Sequence, residues 1–178
     1  RIASFEFPLM LSRVYLDHNA GSPLRAEARE AIVAALEVGG NPSSVHAPGR
    51  AARALVEEAR SRIAELAGVA TGWIIFTSGA TEANNLALKG AAHFAHAHPP
   101  TSHQPRDQII VLTTEHKCVL ESAAALAREG FVVCHLPVEP DGLVSLDRLA
   151  AALSERTLLV SVMAAHNEIG VLQPLAEI

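Results

Sequence analysis

At 178 residues and 49% hydrophobic, the chain can bury a real core, and one domain is the starting expectation. A net charge of −5 without any Lys/Arg-rich run argues against a nucleic-acid partner, and no apolar stretch approaches the roughly 20 residues of a bilayer span, so no membrane partner is expected. Cys118 and Cys134 are too few for a disulfide framework and fit a reducing, cytoplasmic setting.

From the N-terminus, "RIASFEFPLMLSR" lacks the long apolar core and small-residue cleavage site of a signal peptide. Met10 stands ahead of "LSRVYLDHNA", and residues 1–9 read as a non-native or upstream leader. "VYL" (14–16) is a short strand candidate and residues 25–38 a helix, followed by the turn-forming loop "GGNPSSVHAPG" (39–49). A second helix is expected from about Pro48, suited to a first turn, to Gly68, suited to a stop. Along it Ala51, Leu55, Ala59, Ile63 and Leu66 form an apolar stripe, with Arg53, Glu57, Arg60 and Glu65 on the wet side.

Beyond it, "WIIF" (73–76), "QIIVLTT" (108–114), "FVVCHL" (131–136) and "TLLVSVM" (157–163) read as strands. Most are apolar runs without polar alternation, as expected of strands covered on both faces. Residues 80–97, 117–129 and 146–153 read as helices between them, and "HAHPPTSHQPRD" (96–107) as a polar, Pro-rich insertion. Alternating strands and helices predict an α/β fold, a three-layer α/β/α sandwich with a mostly parallel sheet. The final "VLQPLAEI" reads as a cut within a longer chain.

In such a sheet, ligands bind beyond the carboxyl ends of the strands. Three polar stretches fall there: "TSGATE", "EHK" and "AAHNE". In the first, Gly79 suits a sharp turn, and Ala80 and Thr81 fall in a helix's first turn, where amides lack internal acceptors and the dipole favours an anion such as a phosphate. Hydroxyls of Thr77, Ser78 and Thr81 could add donors. An ordinary capped turn, with Glu82 or Asn84 completing the cap, explains the same residues. His116 could stack on a flat cofactor or exchange protons near neutral pH, or simply cap a helix. Asn167 could offer an amide to a ligand or to its own loop. The histidines at 93, 96, 98 and 103 raise a metal site, but without acidic or cysteine co-ligands in a Pro-rich loop no metal is expected.

Taken together, "YLDHNAGSPL", "GNPSSVHAPGR", "IIFTSGATEANNLALKG", "TTEHKCVLE" and "SVMAAHNEIGVLQPLAEI" resemble, in order and spacing, the cysteine desulfurases of the class V aminotransferase group. The resemblance runs from about Val14 to Ile178, and is greatest to the branch that feeds iron–sulfur cluster assembly. It implies a fold-type-I, pyridoxal 5'-phosphate-dependent enzyme, usually a homodimer. Residues 10–24 would be the N-terminal segment of a small domain, and 25–178 an incomplete cofactor-binding large domain. Ala80 and Thr81 would hold the cofactor phosphate. His116 would stack on the ring and assist proton transfer, and Asn167 would hydrogen-bond near the ring's phenolic oxygen.

The implied reaction takes sulfur from L-cysteine, leaving L-alanine and an enzyme persulfide destined for a sulfur-acceptor or cluster scaffold protein. Neither Lys89 nor Lys117 matches the family's Schiff-base lysine, and neither Cys118 nor Cys134 its sulfur-accepting cysteine; both positions lie beyond Ile178. The 178-residue chain alone is therefore expected to be inactive. Lys89 and Lys117 read as solvated charges and the two cysteines as small buried hydrophobes. Two departures stand out: Gly21 replaces a hydroxyl residue, and His166, read as space-filling, replaces an asparagine. Selenocysteine lyase, another class V activity, and a non-catalytic fragment are the competing readings.

Overall fold

A computed structural model describes residues 14–99 and 105–178. The expectations for residues 1–9 and for His103 lie outside them. The chain divides into two compact units, the first ending at Ile75 and the second spanning Phe76–Ile178.

The first unit holds α1 (Ala26–Val38), α2 (Ala47–Ala67) and a 3₁₀ turn at Thr71–Trp73. The signals expected for α2 are all used. The His46 side chain accepts the Gly49 amide, a proline sits in the first turn, and Gly68 ends the helix at φ 66°, its N–H turned back onto the Ala64 and Glu65 carbonyls. The expected stripe is not a core, however: only Gly49 and Ala64 are buried along α2, while Leu55, Ile63 and Leu66 are exposed. Helical spacing determines which residues share a face, but not whether anything covers it.

Two expected strands are absent. Residues 14–16 are irregular, and "WIIF" is split between the 3₁₀ turn and an extended segment. Ile74 has strand-like angles (φ −87°, ψ 123°), but its carbonyl accepts the Arg60 guanidinium at 2.6 Å. A strand is defined by its ladder, and none of the strands among the described residues pairs with this run. Trp73 (77%) and Ile75 (67%) are correspondingly exposed.

The second unit is the expected sandwich. Its parallel sheet has the order β2-β1-β3, from β1 (Gln108–Leu112), β2 (Val132–Leu136) and β3 (Thr157–Ser161). Helices α3 (Ala80–Ala97) and α4 (Lys117–Arg128) cover one face, where Leu88, Ala92, Val119, Ala123 and Leu126 meet Ile109 and Val111. On the other face, Leu149 of α5 (Leu146–Ala152) and Val144 meet Ile110 and Leu112. Alternate residues of β1 thus feed opposite cores, as the pleat requires. Only this central strand is buried throughout from Ile109; β3 is half-buried and Val132 of β2 is exposed, because each flanking strand has one neighbour.

The pairing of β1 with β3 shifts by one residue between Gln108 and Ile109. Beside that bulge Arg156 grips Asp107 with two hydrogen bonds, Nε to Oδ1 at 2.8 Å and Nη2 to Oδ2 at 2.6 Å. Gln108 Oε1 accepts the hydroxyls of Thr157 (2.6 Å) and Ser154 (2.8 Å). The guanidinium holds the Asp107 carboxyl below its usual range.

Candidate functional site

Helices α3 and α4 run side by side in the same direction. Asn84 near the start of α3 bonds Cys118 at the start of α4, and His93 near the end of α3 pairs with Glu129 just past the end of α4. Both N-termini therefore lie at the rim formed by the carboxyl end of β1. A groove of about 470 Å³ runs from there along both helices, with Thr81, His116 and Cys118 at the N-terminal end and Lys89, Ala125 and Arg128 farther down.

Ala80 is the first residue of α3, whose first internal bond runs from the Ala83 amide to the Gly79 carbonyl at 3.1 Å. The amides of Ala80, Thr81 and Glu82 consequently have no acceptor inside the helix, and no side chain at the N-cap position Gly79 serves them. Gly79 is extended (φ 165°), a conformation open to any residue, so the expected glycine-dependent turn is not what it provides. A Cβ at Gly79 would meet no atom within 4 Å, leaving open space before the helix.

Of the three hydroxyls, two are committed elsewhere. Thr77 Oγ1 donates to the Gly79 carbonyl at 3.1 Å. The Glu82 carboxylate accepts both the Ser78 hydroxyl (2.6 Å) and its amide (2.7 Å), which hold that carboxyl below its usual range. The expected side-chain cap of α3 is absent: Glu82 closes the approach through Ser78, the first helix amides stay unserved, and Thr81 lines the cavity.

His116 caps its own helix. Its Nδ1 accepts the Cys118 amide at 3.1 Å, as the N-cap of α4. A nitrogen that accepts an amide carries no proton, so in the neutral ring the proton is on Nε2. The residue before it, Glu115, is buried and reaches from the end of β1 to the end of β3. It accepts the Ser161 hydroxyl at 3.1 Å and the amides of Met163 and His116.

Burial raises the Glu115 pKa, and its hydrogen bonds and the nearby His166 only partly oppose this. A raised folded pKa favours the protonated form. The stability it contributes is complete below the unfolded glutamate value of about 4.3 and is lost as pH rises through the higher folded value. Glu115→Gln is therefore expected to remove a downward slope of stability in that window. Urea midpoints of both proteins at stepped pH check this, and parallel profiles would contradict it.

Asn167 lies in an exposed turn beyond β3. His166 builds that turn: its Nδ1 faces the amides of Glu168 (3.2 Å) and Ile169 (3.4 Å), and its carbonyl accepts the Gly170 amide at 2.8 Å. His166 is thus a turn-forming residue with a charge effect on Glu115, more than the filler expected from sequence. Through Ser161 and Met163 this loop is tied to Glu115 and so to the His116 turn. Thr81 and His116 share one cavity, while Asn167 stands on the same rim but is not among that cavity's lining residues.

Sequence reasoning passed over Glu115 and the contact between Asn84 and Cys118; Cys118 is buried as expected, Lys117 is exposed, and Lys89 is half-buried on the same groove. A glutamate directly before a candidate site histidine, at the end of an apolar run, was the available signal. Of the histidines once weighed as metal ligands, His93 on α3 pairs with Glu129 at 2.8 Å and His98, at the end of that helix, stacks on Phe94. Among the described residues no group of three or more His, Cys, Asp or Glu is placed to hold a metal.

The family model for class V aminotransferases matches residues 14–178. The chain is 47% identical over 167 residues to a cysteine desulfurase IscS of Rickettsia akari (strain Hartford), an alignment covering 93% of this chain and 39% of that protein. Among solved structures, a NifS-like protein superposes with a TM-score of 0.83 at 40% identity, over 92% of this chain and 43% of the other. SspA in complex with cysteine gives 0.82 at 31% identity, over 92% and 45%. The chain thus spans about two-fifths of the length of the proteins it matches. With the α/β sandwich in agreement, the chain belongs to the class V aminotransferase family, and within it is similar to the cysteine desulfurases.

Proposed function

We propose that the protein carrying this chain is a cysteine desulfurase, removing sulfur from L-cysteine to give L-alanine and an enzyme persulfide. The family's cofactor is pyridoxal 5'-phosphate. The residues present suit it: amides without helical acceptors and one available hydroxyl at Ala80 and Thr81, and an imidazole on the same cavity wall. That pairing of an anion-receptive helix end with a planar ring carries the proposal.

When bound, the cofactor supplies an electron sink for the pair left behind as the Cα proton departs. Ala80 and Thr81 receive its phosphate, with the dipole of the 18-residue α3 favouring the negative charge. His116 offers its face to the ring and holds a proton at Nε2. The Asn167 amide serves the ring's oxygen substituent. In this reading residues 10–24 belong to the small domain and 25–178 to the large domain. The complete protein is a cytoplasmic homodimer that passes sulfur to an acceptor or cluster scaffold protein.

Incubating the full-length protein with L-cysteine and a thiol reductant should yield alanine and sulfide in equal amounts. Thr81→Ala should weaken pyridoxal 5'-phosphate binding by roughly tenfold or more, the usual cost of one hydrogen bond to a charged group. Cofactor binding without alanine formation would exclude the desulfurase reading, and unchanged affinity in the Thr81 variant would exclude the phosphate assignment.

A further inference from the structure

We propose that Cys118 is a positioning residue that, held by Asn84, fixes the ring of His116 and the side on which it carries its proton. The inference rests on the reading of His116 as the ring that meets the cofactor, and deepens it.

Cys118 Sγ lies 2.9 Å from His116 Nδ1, and Asn84 Nδ2 lies 3.1 Å from the same sulfur. The donor and acceptor roles follow from the neighbours. Asn84 Nδ2 can only donate, so the sulfur accepts from it. Nδ1 already accepts the Cys118 amide, so it has no proton to give and the thiol S–H points toward it. An amide, a thiol and an imidazole thus form a directed chain from α3 to α4. Two donors converge on Nδ1, and both favour the tautomer with its proton on Nε2.

The chain also spaces the site. Asn84 stands three residues after Thr81 on α3, and Cys118 two residues after His116. One side-chain contact therefore fixes the imidazole relative to the helix end that receives the anion. Cys118 is buried with its sulfur held between Asn84 and His116, so it acts through His116. Alanine would leave Nδ1 with the backbone amide alone. Serine would keep an O–H donor of similar reach.

The test measures the ring itself. With ¹⁵N-labelled histidine, the nitrogen shifts of His116 report the ratio of its two neutral tautomers without any cofactor. Cys118→Ala is expected to lower the preference for the Nε2-protonated form by about fivefold, as for the loss of one net hydrogen bond. Cys118→Ser is expected to hold it within twofold of the parent, and Asn84→Ala to lower it by less than Cys118→Ala.

A parental ratio in a folded C118A protein would overturn the proposal. So would a serine variant that behaves like alanine. If C118A does not fold, parental ratios in N84A would also overturn it. Titrating the same samples with pyridoxal 5'-phosphate tests the cofactor reading separately: altered tautomers without any cofactor binding would refute that reading and leave the relay standing.

Discussion

Asparagine at position 116 is expected to leave the fold intact and nearly abolish turnover in the full-length enzyme. Asparagine is among the best N-caps, so its side chain can take over the Cys118 amide now held by Nδ1 at 3.1 Å. It offers no ring to stack and no group that exchanges protons near neutral pH. Removing a positioned acid or base typically lowers rates by roughly 10²–10⁴-fold. Alanine at the same position should show the same loss of turnover and also destabilise the protein by about 1 kcal/mol, because the first turn of α4 loses its cap. Parallel measurement of kcat and thermal midpoint separates the two roles. An asparagine variant within a few-fold of parental activity would remove His116 from the chemistry, and equal midpoints for both variants would remove it from the cap.

The largest expected loss of stability lies at Leu126, which is 0% exposed and packs on Ile109 and Val111 of the central strand. Leu126→Ala should cost about 2–5 kcal/mol, the sum of lost apolar transfer and the cavity left in a packed interior. Against the roughly 5–15 kcal/mol that holds a typical domain together, this shifts a urea midpoint far outside error. Leu126→Met conserves volume and should cost less than about 1.5 kcal/mol. If alanine and methionine have similar effects, α4 is not packed as described.

Where a segment's fate depends on its own residues, it was legible in the sequence. β1 is a continuous apolar run bounded by polar residues, and both ends of α2 carry their own punctuation in Pro48 and Gly68. "WIIF" was misread because an apolar run records a preference for burial, whereas a strand also needs a neighbour to complete its ladder. The exposed stripe of α2 is the same lesson for a helix.

At the site, Ala80, Thr81, His116 and Asn167 could be chosen because each follows a run that ends in polar residues. Their supports could not. Cys118 looks like a small apolar residue until Asn84, 34 positions earlier, meets its sulfur. Glu115 looks like a surface charge until Ser161, 46 positions later, closes over it. Sequence distance hides such pairs, since neither residue is unusual in its own surroundings.

The bulge between Gln108 and Ile109 has a consequence at the far end of the sheet. β1 and β3 are fastened twice, by Asp107 with Arg156 where they begin and by Glu115 with Ser161 where they finish. Sliding either strand by one residue would have to break both fastenings and exchange the two cores. The pair is therefore a rigid gauge whose length is counted in residues, and adding or deleting one anywhere in 158–161 would displace Asn167 along the rim while His116 stayed in place.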